Sequence, residues 1–218
     1  MSLKVAESTG VLAALLLCAS CSGVAKDSEP TAQRHDQRSA AASDQSAQPG
    51  VQLSRQASPD TVIAAGQAAR QSFVADGAPS VDALMDEFVQ ALTKKDKDAL
   101  DKLRVTKAEY VDLIVPGSVP VGQPPRLVSE QPKEHYWNLI DTKSHYYADN
   151  LVGQFGGRTY RSRELRFSRP NMEYAWYTAV GQVRLELEGE DDRTYHLLTG
   201  WLAEVDGKYK FISYEYND

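Results

Sequence analysis

Cysteine is nearly missing from this 218-residue chain: there are two, Cys18 and Cys21, both near the N-terminus. Beyond residue 21 there can be no intrachain disulfide, no thiol nucleophile and no zinc thiolate. Stability there must come from a packed core. Positive charge is the minority, with 24 Lys and Arg against 30 Asp and Glu and a net charge of -6. Phosphate backbones are bound by basic stripes, so no nucleic acid partner is expected. No apolar run approaches the roughly 20 residues that cross a bilayer as a helix. Glycine-rich phosphate loops and a nucleophile elbow are absent too, which removes nucleotide and serine-hydrolase readings. Between residues 80 and 218 the histidines are His135, His145 and His196. None is spaced to share a helix face as metal ligands, so neither a metal nor any other cofactor is expected.

What is present begins with the eleven residues Val11 to Cys21, apolar and ending in small side chains. This is a secretion signal in length and flanks, too short for a membrane span. Its last four residues, Cys18-Ala19-Ser20-Cys21, resemble the lipobox of bacterial lipoproteins. Cys18 stands where that pattern usually has Leu. The resemblance implies a signal peptide over 1–20, removed before Cys21, whose thiol carries the lipid. Ser22, rather than Asp, after that cysteine implies the outer membrane, facing the periplasm. The other reading is an ordinary cleaved signal with two incidental cysteines.

Composition then divides the chain. Of 11 Tyr, 5 Phe and 3 Trp, only Phe73 precedes residue 80. Residues 21–79, rich in Ala, Ser, Gln, Asp and Gly, have little to bury against the entropy of ordering and read as a disordered tether. Ser58-Pro59-Asp60 through Phe73 carries helix-start signals, so a transient helix is expected there. Residues 80–218 hold 18 basic and 23 acidic side chains and read as one domain.

Within that domain the elements change type once. Ser80 caps a helix with apolar Val81, Leu84, Met85, Phe88 and Leu92 at the 3.6-residue period. A short helix over Ala99–Leu103 follows, then a capping box at Thr106 and Glu109 opening a third segment to Ile114. Five prolines between 116 and 132 force an extended loop, and a longer helix runs from about Lys133 to Leu151. From Thr159 the period becomes two. Strands are expected over Thr159–Phe167, Tyr174–Glu188, Tyr195–Val205 and Lys208–Tyr216, with a hairpin turn at Asp206-Gly207 and a bulge at Gly181. The fold class is α+β, N-terminal helices packed on one face of a strongly curved antiparallel sheet.

Two stretches carry a resemblance. Phe88-Val89-Gln90-Ala91-Leu92 with Lys95-Asp96-Lys97-Asp98-Ala99-Leu100 is similar to the opening helices of the nuclear transport factor 2-like (SnoaL-like) superfamily. Gly200-Trp201-Leu202 with Asp206-Gly207-Lys208-Tyr209-Lys210-Phe211 resembles its last two strands. The resemblance implies a cone whose sheet wraps a pocket, often dimeric through the sheet. Members include isomerases and dehydratases as well as non-catalytic binding domains, so the fold leaves function open.

The catalytic candidates are Asp141 and His145, one helical turn apart, where a carboxylate could hold an imidazole as general base. A solvated i,i+4 pair is the commoner meaning of that spacing. Tyr136, Trp137, Tyr177 and Trp201 are candidate ligand-binding residues, apolar bodies with polar tips suited to a small apolar ligand. Core packing is the alternative for each. Arg158, Arg161, Arg163, Arg166 and Arg169 form a basic cluster that reads as an anion-binding patch or as a charge-protected edge strand. The expectation is therefore a lipid-anchored envelope protein with a non-catalytic binding or interaction domain. The alternative is a pocket enzyme of isomerase or dehydratase type.

Overall fold

A computed structural model describes residues 58–215, save the Ser162 side chain, all within one compact unit spanning Val51–Asp218. The expected signal peptide, Cys21, the tether up to residue 57 and the strand end at Tyr216 lie outside the described residues. The architecture is α+β, helices first and an antiparallel sheet after. No helix among the described residues is long and apolar enough to cross a membrane.

The first helix, α1, corrects the domain boundary expected at residue 80. It runs Pro59–Asp76, with the Ser58 hydroxyl accepting from the Thr61 amide and Pro59 in the first turn. It is a packed element, with Val62, Ala69 and Phe73 buried. Helix α2, Val81–Lys94, starts on the Ser80 cap and ends where Lys95 turns left-handed at φ 56°. Helix α3, Lys97–Lys102, is capped by Asp96. Both halves of the capping box form at α4, Lys107–Glu109. The chain then widens into a π-helical turn, Tyr110–Ile114, and a last helical turn α5, Val115–Gly117. The wide turn closes with the Val115 amide on the Tyr110 carbonyl, and Pro116, next in the chain, has no N–H to continue the ladder. Helix α6, Glu130–Phe155, is longer than its apolar pattern suggests and stops at Gly156.

Five strands follow: β1 Tyr160–Phe167, β2 Met172–Glu173, β3 Thr178–Gly189, β4 Thr194–Val205 and β5 Lys208–Tyr214. Their order is β1-β3-β4-β5, with β2 beside the start of β3. The strand expected from Tyr174 is broken, because the Tyr174 amide turns back to the Tyr177 carbonyl. At Asp206-Gly207 both φ angles are positive, 52° and 74°, as a type I′ turn demands. The pairing slips at Gly181 as expected, and a second slip lies at Gly200, φ 114°. A Cβ on Gly200 would stand 2.0 Å from the Ser213 carbonyl oxygen, so the bulge requires glycine twice over.

Helices cover both faces of the sheet rather than one. Val180, Leu202 and Phe211 join Leu84, Phe88 and Leu151 in one apolar cluster. Their strand neighbours Ala179 and Ala203 join Phe73, Leu113 and Ile114 in a second. Adjacent strand residues point to opposite faces, so α1 and the π-helical turn close the side that α2 and α6 leave open. The β5 edge is sealed by backbone bonds to Ala78, Leu103 and Val105, and by the Ser144 hydroxyl beneath the Tyr214 amide. At the other edge Arg163 ties β1 to α2 through Asp86 at 2.8 Å and Asp82 at 3.0 Å. Arg161 pairs with Glu188 and Asp192, and Arg166 with Glu164. These ion pairs match the edge-strand reading of the arginine cluster.

Candidate functional site

Helix α6 organises the recesses of the surface, because it buries one stripe and leaves two flanks. Ser144, Ala148 and Leu151 face the core. At i, i+4 and i+8, Trp137, Asp141 and His145 run down one flank. Tyr136, Ile140, Lys143 and Tyr147 follow the other.

On the first flank, Asp101 of α3 and Arg104, just past its end, stand against Asp141. Arg104 is only 3% exposed. Its guanidinium donates to Asp101 at 2.9 Å and Asp141 at 3.0 Å, lies 5.8 Å from the Trp137 ring centre, and leaves Nε without an acceptor. His145 does not take the Asp141 carboxylate in the way general-base chemistry would want. Its Nδ1 bonds the Asp141 backbone carbonyl at 2.9 Å, while the carboxylate oxygen stands 3.5 Å away and serves Arg104. Nε2 lies 3.6 Å from Asp101. With its side chain 57% exposed, His145 faces water rather than a closed pocket. Asp101, Asp141 and His145 bring their ligand atoms within 4.8 Å of one another. The Arg104 charge already occupies the place a cation would take, so the set fits a metal ion poorly.

Trp137 and Asp141 form part of a cleft of about 640 Å³ bounded by α2, α3, α4 and β5. Its wall mixes Asp76, Glu87 and Asp101 with Lys102, Arg104 and Lys107. Beneath it lies a pair that the sequence reading did not single out. Lys210, 2% exposed, donates to both oxygens of the fully buried Glu109 at 2.8 and 3.1 Å. Ser72 of α1 adds a bond to the same carboxylate, and the Lys210 ammonium lies 5.4 Å from the Phe73 ring centre. The capping-box Glu109 was the only signal. That a lysine of a strand would reach it depends on packing.

The space between helices and sheet is filled. Phe88, Phe211 and Tyr214 pack ring on ring with centroids 4.8 to 5.8 Å apart. The Tyr214 hydroxyl bonds the Leu100 carbonyl at 2.5 Å, and full burial holds its phenol well above the ordinary tyrosine range. The four candidate ligand residues do not converge. Trp137 belongs to the large cleft. Tyr177 is 8% exposed, stacked on Tyr174 at 5.0 Å and bonded to Ser118, with burial raising its phenol. Trp201 packs against the second core cluster. Tyr136 lines a separate groove of about 350 Å³ with Tyr110, Leu139, Ile140, Lys143, Tyr147 and Glu215. His196 sits on the exposed face opposite Glu186, because the pairing register sets it there.

No protein-family model matches the chain, and neither curated proteins nor solved structures give a significant match.

Proposed function

We propose that this is a lipid-anchored protein of the bacterial cell envelope whose folded unit binds a small apolar ligand or an envelope partner without catalysing a reaction. The single observation behind this reading is the state of the Asp141–His145 flank. Its carboxylate serves Arg104 and its imidazole is solvated, so no proton-transfer pair is held in a water-free site. Recesses suited to recognition lie on both flanks of α6. The order of elements, helices and then an antiparallel meander closed by an Asp206-Gly207 hairpin, favours a nuclear transport factor 2-like unit. The lipobox-like Cys18–Cys21 favours attachment at Cys21 and, through Ser22, the outer membrane.

The enzyme reading keeps one observation in its favour, since Asp141 lines the cleft of about 640 Å³. Two experiments separate the parts of the proposal. In a bacterium with an outer membrane, labelled palmitate is expected to enter the full chain and to be lost in Cys21→Ala; equal labelling of both sinks the anchor. Native mass spectrometry of the purified chain then reads co-purifying molecules and any dimer formed through the sheet. An activity that His145→Gln abolishes without lowering the melting temperature would replace the binding reading with the enzymatic one.

A further inference from the structure

The groove on the second flank of α6 combines two features found together in binding sites for organic cations. The first is aromatic wall. Tyr110 of the π-helical turn and Tyr136 and Tyr147 of α6 line it, with Leu139 and Ile140 between them. Tyr136 is 43% exposed and Leu139 56%, so the core does not cover this wall. The second is a carboxylate at the end of β5. Glu215 is half-buried beside the groove. Its bonding partner is the neutral Gln182 amide at 2.5 Å, and no ion pair reaches it among the described residues. Lys143 and Arg169 are the cations near enough to influence it, and neither comes within salt-bridge distance. Burial raises the proton affinity of this carboxyl, as expected of an acid short of a counter-ion. An unpaired carboxylate in partial burial is costly, and an ammonium beside tyrosine rings gains from their electron-rich faces.

We propose that this groove binds an organic ammonium ion, with Glu215 as its counter-ion and the Tyr110, Tyr136 and Tyr147 rings as its walls. The inference rests on the binding-module reading and names the ligand class for it. The volume, about 350 Å³, suits a small amine with an apolar tail. A neutral apolar ligand would use the walls and leave Glu215 unpaired. Lys143, at the rim, competes with the ligand for the same carboxylate.

The test is calorimetric titration of the full lipidated chain in lipid nanodiscs, with empty nanodiscs as blank. The probes are 2-phenylethylammonium and 2-phenylethanol, which differ in little but the charge. Saturable binding of the amine is expected, weaker by about tenfold for the alcohol and for Glu215→Gln, as a charge-assisted contact requires. Lys143→Gln is expected to tighten the amine about threefold by removing a competing ammonium. Tyr136→Ser, an exposed position that leaves the core intact, weakens it even if the Glu215 variant fails to fold. Equal affinity for amine and alcohol, with both weakened by Tyr136→Ser, overturns the ammonium inference and keeps an apolar binding module. Absence of saturable binding up to about 10 mM, weak even for a fragment of this size, overturns the inference and the small-ligand reading of the groove together.

Discussion

Lys210 illustrates how much a single buried charge can carry in this molecule. Its ammonium and the Glu109 carboxylate are both out of water and satisfy each other, with Ser72 and the Thr106 amide completing the acceptor. Removing one partner leaves the other charged and buried. Lys210→Met is therefore expected to cost about 3–5 kcal/mol in urea unfolding. Adding Glu109→Gln should recover much of that loss, because the stranded charge goes with it. His145 is the opposite case. Exposed and bonded through Nδ1 to a backbone carbonyl within its own helix, it should tolerate His145→Gln within about 0.5 kcal/mol. The i,i+4 spacing of Asp141 and His145 was plain in the sequence. The buried Arg104 between α3 and α6 was not, since it comes from an element 37 residues away.

At the scale of elements, α1 is the main departure from composition. Its sequence, PDTVIAAGQAARQSFVAD, has one aromatic residue and a weak apolar stripe, and it reads as spacer with helix-start signals. Those signals were sound: Ser58 caps it and Pro59 opens it. What composition could not show is that Phe73 joins Ala203 and Val205 in the second core cluster, or that Arg70 clasps Asp206 in the β4–β5 turn, with Nε to Oδ2 at 2.7 Å. Phe73→Ala is expected to cost about 3–5 kcal/mol, measured by denaturant unfolding. A cost below about 1 kcal/mol for this substitution would mean that α1 is an appendage, as the composition suggested. Helix α6 shows the reverse. The sequence marked it as a helix, while its buried stripe, which includes Lys133 and Ser144, and the recesses on its flanks depend on which neighbours stand opposite.

For the whole molecule, ion pairs bind the helical layer to the sheet, and this sets a pH dependence. Hydrogen bonds from Arg163 and Arg70 hold the Asp86 and Asp206 carboxyls below their ordinary value. Groups depressed in the folded state stabilise it fully above about pH 4 and lose that contribution as pH falls through their folded values. Glu215 has the opposite sign, its carboxyl raised by burial, so acid relieves its cost. The melting temperature is expected to fall below about pH 4, and Arg70→Gln with Arg163→Gln should flatten that slope. An unchanged slope in the double variant would show that these two clasps contribute little.

Legible in the local sequence were the succession from helices to strands, the caps at Ser58, Ser80 and Thr106, the Asp206-Gly207 turn, the bulge at Gly181 and the acidic balance. Each depends on residues within a few positions of one another, where steric limits and local hydrogen bonds decide. Tertiary structure alone decided that helices cover both faces of the sheet, that Glu109 meets Lys210, that Phe88, Phe211 and Tyr214 close the interior, and that Tyr136 and Glu215 share a groove. These contacts join residues tens of positions apart. A local pattern marks a side chain as apolar or charged, but its partner is chosen only when the whole chain packs.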